Sequence, residues 1–378
     1  MKIYKSSVLF FVMTFFLIAI SSTSFGANGD VLRSTLANGL KVVIVQNQLA
    51  QVVTTEVNYL VGSDEAPEGF PGMAHAQEHM MFRGSPGMSA EQLANIMALM
   101  GGEFNADTQQ TVTQYFFTVP KDNLVVALNV EAMRMSGILD SQELWEQERG
   151  AIEQEVAQDI SSPDYLLSMQ LLAEMFSGTP YAHDALGTRP SFEKTTSAML
   201  KEFYRTWYVP NNAVLVIVGD VDPQKTLALV KELFEPIPRH IIPARPSFKL
   251  QPLKASFISF DTDLPYGLAV VAYRLPGFDS PDYAAGMILA DILDSKRGNL
   301  YTLVTEGKAL FTTFDGGVLP KAAYGYALVA FPQESDGAAL NARSKACGVD
   351  PRISAPPDAG DRLAQEDPAS RNHGESAE

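Results

Sequence analysis

Hydrophobic residues in the first part of the chain recur at two different periods. Runs of β-branched and aromatic residues predict strands at 35–45, 52–61, 111–119 and 212–220. Between these strands lie patterns with the 3.6-residue period of a helix, and the clearest covers 89–100. Ser89 and Gln92 match a capping box at its start, and a glycine pair follows its end. The alternation predicts a unit of mixed α/β structure over residues 27–235.

Prolines interrupt this pattern between 236 and 252, at positions 236, 238, 243, 246 and 252. Because proline cannot continue a helix and cannot pair in a central strand, this stretch is predicted to be a linker. The α/β pattern then resumes, and we assign 253–334 to a second, shorter unit. Its predicted elements are strands at 257–261 and 267–275, a capped helix at 280–293 and the start of another helix at 299–306.

The two ends of the chain have compositions of their own. Lys2 and Lys5 precede thirteen mostly apolar residues at 8–20 and then small residues, which is the layout of a cleaved signal peptide at 1–26. The apolar stretch is too short to span a bilayer, so we expect an exported protein, periplasmic or secreted, without a membrane anchor in its mature form. The segment 335–378 has no aromatic residue and few large aliphatic ones, which predicts a disordered tail. We expect this tail to be the truncated or frame-shifted end of a longer protein rather than an acidic regulatory segment.

The overall composition narrows the class of protein. Hydrophobic residues make up 46% of the sequence, enough for a packed core without disulfides, since Cys347 has no partner within the chain. The formal net charge is -16, and it becomes more negative when the first 26 residues are removed. Such a charge disfavours binding to a phosphate backbone, so no nucleic-acid partner is expected.

The candidate chemistry lies in the segment 75–79, with the sequence HAQEH. On a helix, His75 and His79 lie one above the other and Glu78 lies beside them, so all three side chains can face one ion. Two histidines on the solvent side of an amphipathic helix would give the same local pattern. A catalytic zinc takes three protein ligands and keeps one position for water. The run 145–156 is a candidate source of the third ligand because it is helical in pattern and rich in carboxylates.

The strings HAQEH and ERGAIEQE, which begin at His75 and end at Glu155, resemble the pitrilysin/insulinase family of inverted zinc peptidases. The resemblance implies one zinc ion held by His75, His79 and Glu155, the last of which has the family's spacing from the second histidine. It implies that Glu78 is the general base that takes a proton from zinc-bound water. It also implies an α+β fold of two related half-domains, each an antiparallel-rich sheet packed with helices, of which the second is incomplete here.

Three more residues take roles from the resemblance, and two of them have an alternative. Glu148 corresponds to an acid that orients a ligand, although a solvated charge beside Arg149 is compatible with the same pattern. Asn105 and Ala106 correspond to an edge that holds the substrate as an added strand. For Asn105 the alternative is an ordinary turn residue after the glycine pair. His183 lies away from the motif and is predicted to have a capping or packing role.

These features predict a zinc endopeptidase that hydrolyses peptides or unfolded polypeptides. A non-catalytic or partner-dependent subunit is the alternative, because the family also contains members that keep the fold as a scaffold. Members of the family close a catalytic chamber with a second lobe or a partner subunit, so the resemblance, together with the short second unit, implies a complementary lobe or partner subunit here. A secreted binding module without metal would require the pattern of His75, His79 and Glu155 to be accidental.

Overall fold

The computed structural model describes residues 31–245, 247–254 and 264–332. Three predicted segments lie outside the described residues: the signal peptide at 1–26, the strand at 257–261 and the tail at 335–378. The predicted linker at 236–252 falls in a stretch, 235–265, whose described residues form neither helix nor strand.

The first unit is built on one sheet that has six strands in the described part. The strands in chain order are β1 (Val31–Thr35), β2 (Lys41–Gln46), β3 (Val52–Tyr59), a short hairpin of β4 (Gly84–Ser85) and β5 (Met88–Ser89) that stands apart, β6 (Glu103–Thr108), β7 (Thr113–Pro120) and β8 (Ala213–Gly219). The sheet has the order β1-β2-β8-β3-β7-β6. Neighbouring strands are antiparallel except β2 and β8, which are parallel. Strand β6 is therefore an edge strand.

Helices pack on this sheet and form the rest of the first unit. They are α1 (Met73–Met80), α2 (Ala90–Met100), α3 (Leu124–Ser136), α4 (Gln142–Asp159), α5 (Pro163–Met175), α6 (Arg189–Lys194), α7 (Ser197–Trp207) and α8 (Pro223–Phe234). The predicted capping box is confirmed: Ser89 accepts from the backbone of Gln92, and the Gln92 side chain accepts from the backbone of Ser89.

The sheet buries alternate residues because successive side chains of a strand point to opposite faces. In β3 every second residue from Val53 to Tyr59 is buried. Apolar side chains of the helices join the same core, which includes Trp145 of α4 and Trp207 of α7. Trp145 Nε1 donates to the carbonyl oxygen of Thr195 at 2.8 Å, so its polar atom is satisfied inside the core. This packing holds α4 in place, which matters because α4 carries candidate site residues.

The second unit has a smaller antiparallel sheet with two helices. Its elements are β9 (Tyr266–Pro276), α9 (Tyr283–Asp294), α10 (Asn299–Thr305), β10 (Phe311–Val318) and β11 (Ala322–Pro332), with the strand order β10-β11-β9. The strand predicted at 267–275 and both predicted helices are confirmed. The predicted side-chain cap on α9 is wrong. Asp282 makes no capping hydrogen bond, and Ser280 Oγ instead accepts from the Asp282 backbone in a turn before the helix.

The two units meet at α5. Apolar side chains of α5 and of the turn between β10 and β11 share a small buried cluster. Arg274 of β9 donates to the carbonyl oxygens of Met175 and Gln251, and its guanidinium carbon lies 5.2 Å from the ring centroid of Phe176. The predicted α+β fold with antiparallel-rich sheets packed with helices is confirmed.

Candidate metal centre and active site

Helix α1 presents both motif histidines from one face. The ring centroids of His75 and His79 lie 4.8 Å apart, with an angle of 79° between the ring planes. The start of the helix is set by a close approach of two glycines. Gly187 has a φ of +85°, and a Cβ at that position would lie 2.4 Å from the Cα of Gly72, the residue before α1. Glycine is required here because any side chain would push α1 away from its neighbour.

Each imidazole has one nitrogen engaged outside the site. His75 Nδ1 donates to the carbonyl oxygen of Leu186 at 3.0 Å, and His79 Nδ1 donates to Glu148 Oε1 at 2.8 Å. A carbonyl oxygen and a carboxylate oxygen both act as acceptors. In the neutral imidazoles the proton therefore lies on Nδ1, and both Nε2 atoms carry a lone pair.

Glu155 of α4 completes a group of three acceptors. Its Oε1 lies 3.5 Å from His75 Nε2, its Oε2 lies 3.4 Å from His79 Nε2, and the two Nε2 atoms lie 3.2 Å apart. One ligand atom from each residue can be chosen so that all of them lie within 4.8 Å of one another. Two lone pairs and a carboxylate at these distances form a group that can hold a metal ion.

The pKa values of the three groups are shifted by burial and by their mutual contacts. Burial lowers the pKa of His75, but the hydrogen bond with Glu155 and the charge of Glu78 outweigh it, so the net shift is upward. The pKa of His79 is lowered, first by burial and then by the charge of His75. The pKa of Glu155 is lowered, chiefly by its hydrogen bond with His75. The three groups together favour one positive charge, either a proton or a metal ion.

The chemistry of these groups fits zinc. Two imidazole nitrogens and one carboxylate are a ligand set of catalytic zinc sites, which leave a coordination position for water. An engaged Nδ1 on each histidine is the usual arrangement when Nε2 binds a metal. The His79 side chain is 21% exposed and that of Glu155 is 46% exposed, so the group is open to solvent on one side.

Glu148 is a buried partner of His79 and not a solvated charge. Its side chain is 8% exposed, so the alternative interpretation beside Arg149 is wrong. Its second oxygen, Oε2, forms an ion pair with Arg83, which follows α1. The carboxylate thus joins α4 to α1 and fixes the ring orientation of His79.

Glu78 lies on the same helix but outside the group of three acceptors. Its Oε2 accepts a hydrogen bond from the Oγ1 hydroxyl of Thr108, which is the last residue of β6. Burial raises the pKa of Glu78, although Thr108 and both histidines act in the opposite direction. Asn105 is exposed, Ala106 is half-buried, and both lie in the edge strand, so the turn interpretation of Asn105 is wrong.

Sequence reasoning missed three groups of this site. Arg83 lies three residues beyond the end of α1, and its ion pair with Glu148 depends on the packing of α1 against α4. The Thr108 hydroxyl and the Leu186 carbonyl meet α1 only through the tertiary fold, and a backbone carbonyl has no signature in the sequence. His183 lies in the same loop as Leu186, and its Nδ1 is 2.8 Å from the Asp184 carbonyl oxygen.

Two models of one peptidase family match successive parts of the chain. Residues 41–189 match the family described as Insulinase (Peptidase family M16), and residues 194–343 match the Peptidase M16 inactive domain. The chain belongs to peptidase family M16. The resemblance inferred from the two motifs is thereby confirmed.

Relatives in this M16 family include zinc proteases. The zinc protease PqqE of Helicobacter pylori is 31% identical over 204 residues, which are 53% of this chain and 46% of that protein. The crystal structure of a protease from Helicobacter pylori has a TM-score of 0.77 and 25% identity, and the match covers 84% of this chain and 79% of that chain. The periplasmic protease PqqL from Escherichia coli has a TM-score of 0.71 and 21% identity, covering 83% of this chain and 36% of that chain. The last likeness concerns the fold alone.

The chain spans about half the length of the curated relatives it matches. Within the described ranges, no helix combines the length and the apolar character needed to cross a membrane.

Proposed function

We propose that this chain is the metal-bearing part of a zinc endopeptidase that hydrolyses peptides or unfolded polypeptides with an activated water. The observation that carries the proposal is the convergence of His75, His79 and Glu155 as a group that can hold a metal ion, with the half-buried Glu78 on the same helix. Membership of a peptidase family whose relatives are named zinc proteases supports it.

In this proposal, His75 and His79 hold zinc through Nε2, and Glu155 holds it through a carboxylate oxygen. Zinc, when bound, lowers the pKa of a coordinated water and polarises the scissile carbonyl. Glu78 accepts the proton of the attacking water and passes it to the leaving amine. Leu186 and Glu148 keep the two imidazoles in the tautomer and orientation that the metal needs.

We propose that the substrate binds along β6 as an added strand, beside Asn105 and Ala106. The position of β6 at the sheet edge supports this, because an edge strand has unpaired backbone groups on one side. Pairing through the backbone tolerates many substrate sequences, which suits a peptidase for unfolded chains.

We further propose that a complementary lobe or partner subunit completes the catalytic chamber. Helix α9 supports this because its apolar side chains Ile288 and Ile292 are both 59% exposed. Export to the periplasm or outside the cell is proposed from the charged and apolar layout of the first 26 residues, and a structural relative is named a periplasmic protease.

The proposal is tested with the purified, zinc-loaded chain and a set of quenched fluorescent peptides. We expect chelator-sensitive cleavage, which Glu78→Gln reduces by about a hundred-fold or more while one zinc ion stays bound. The matched control is Glu146→Gln, an exposed carboxylate on α4. Loss of zinc in Glu78→Gln would make Glu78 a ligand and not the base. A zinc-loaded wild type that never cleaves, alone or with an added lobe, would favour the non-catalytic subunit.

A further inference from the structure

The hydrogen bond between Thr108 and Glu78 joins the edge strand to the metal-facing helix. Thr108 ends β6 and Glu78 lies near the end of α1, 30 residues earlier in the chain. Among the described residues, Thr108 is the hydrogen-bond partner recorded for the Glu78 carboxylate. Because the hydroxyl engages one lone pair of Oε2, Oε1 is the less engaged oxygen of the carboxylate and the better placed to accept a proton from water.

The bond is not needed to hold β6 in the sheet. All six residues of β6 pair with β7, from Glu103 opposite Thr118 to Thr108 opposite Thr113. The half-buried Glu78 carboxylate, by contrast, has several rotamers, and the hydrogen bond from Thr108 selects one of them. The hydroxyl therefore contributes more to the orientation of Glu78 than to the strand.

We propose that Thr108 is a positioning residue for the general base. This inference rests on the proposed function of Glu78. Thr108 holds the carboxylate in the orientation in which Oε1 receives the proton of the attacking water. Thr108 lies on the strand that is proposed to pair with the substrate. A peptide bound along β6 therefore lies beside the hydroxyl that orients Glu78. A base displaced by about 1 Å can cost about a hundred-fold in rate.

Kinetics of three variants test the role. Thr108→Val, which removes the hydroxyl and keeps the shape, should lower kcat roughly ten- to a hundred-fold. KM and the zinc content should stay at the wild-type values. Thr108→Ser should restore kcat to within about three-fold of wild type, because a serine hydroxyl can make the same bond. The matched control is Thr118→Val. Thr118 lies on β7 opposite Glu103, at the other end of β6, and its hydroxyl oxygen lies 2.9 Å from that of Thr54. Full kcat in Thr108→Val, no restoration by serine, or an equal loss in the control would overturn the proposal.

Crystal structures of the zinc-loaded variants give a second measurement that needs no activity. The Glu78 carboxylate should leave its wild-type position in Thr108→Val and keep it in Thr108→Ser. An unchanged carboxylate in Thr108→Val would refute the positioning role even if the chain cleaves peptides. If the wild-type chain never cleaves peptides but the Glu78 carboxylate is displaced in Thr108→Val, the positioning role is correct and the assignment of function has failed.

Discussion

His79 Nδ1 lies 2.8 Å from Glu148 Oε1, so an imidazole of α1 is held by a carboxylate of α4. Glu155, two turns further along α4, faces the Nε2 atom of the same imidazole at 3.4 Å. One helix thus supplies the histidines, and a single face of the other supplies both the proposed third ligand and the carboxylate that holds His79. The relative position of the two helices determines the geometry of the proposed metal centre.

The first prediction concerns this hydrogen bond. Glu148→Ala should weaken zinc affinity about ten- to a hundred-fold, the usual effect of losing a partner of a metal-bound histidine. Glu148→Gln keeps an acceptor oxygen and should lose less. Competition with a chelator of known affinity measures both, and the exposed Glu146→Ala is the control. Wild-type affinity in Glu148→Ala would show that the ring of His79 is oriented by other contacts.

The second prediction concerns the third ligand. Glu155→Gln replaces a carboxylate with a neutral amide, so zinc affinity should fall by more than it does in Glu148→Ala. Metal analysis after dialysis against a weak chelator measures the zinc that remains. Equal zinc content in Glu155→Gln and wild type would remove Glu155 from the site.

Elements with both a periodic apolar face and a local end signal were predictable from the sequence. Helix α2 has its capping box at Ser89, and β3 and β7 alternate buried and less buried residues. Strand β6 was not predicted as a strand from its pattern, because Glu103, Asn105 and Asp107 are residue types depleted in strands and most of the strand is exposed. It is a strand because it pairs with β7, and that is a tertiary contact.

The residues of the candidate site also differ in how far the sequence predicted them. The spacing of His75, Glu78 and His79 depends only on helix geometry, so it was visible in the sequence. Glu155 required the resemblance to a known family. The Leu186 carbonyl is 111 residues from His75, and no periodicity relates the two.

The third prediction is a pH dependence of stability at Asp64. Burial raises the pKa of this carboxyl to about 7, with a further rise from the charge of Glu65, while Lys321 and Arg245 lower it. In the unfolded chain its pKa is about 3.9. The folded state therefore holds the proton more tightly, and stability falls as pH rises from about 4 to about 7. At neutral pH the penalty is on the order of 2 to 4 kcal/mol.

Asp64→Asn should remove this part of the pH dependence. The variant should have the stability of wild type near pH 4 and exceed it at pH 8, as measured by urea unfolding across the pH range. The control is Asp122→Asn, an exposed aspartate whose unfolding curve should follow wild type at every pH. If Asp64→Asn follows wild type as well, the carboxyl is not buried in solution.

The fourth prediction concerns a buried ion pair beneath the sheet. Arg134 and Glu131 of α3 pair with side-chain exposures of 1% and 0%, and the guanidinium carbon lies 4.9 Å from the ring centroid of Tyr115. Arg134→Ala leaves the Glu131 carboxyl buried without its partner, and burial already raises the pKa of that group. The free energy of unfolding should fall by about 3 to 5 kcal/mol. Urea denaturation followed by circular dichroism measures the loss.

A double variant separates the charge from the packing in this pair. Arg134→Met with Glu131→Leu keeps most of the side-chain volume and removes both charges, so no group is left unpaired in the core. It should recover most of the stability that Arg134→Ala loses, although it gives up the contact of the guanidinium with the aromatic rings, worth about 2 kcal/mol when desolvated. A double variant as unstable as Arg134→Ala would show that the aromatic contacts of Arg134, and not its pairing with Glu131, stabilise this part of the fold.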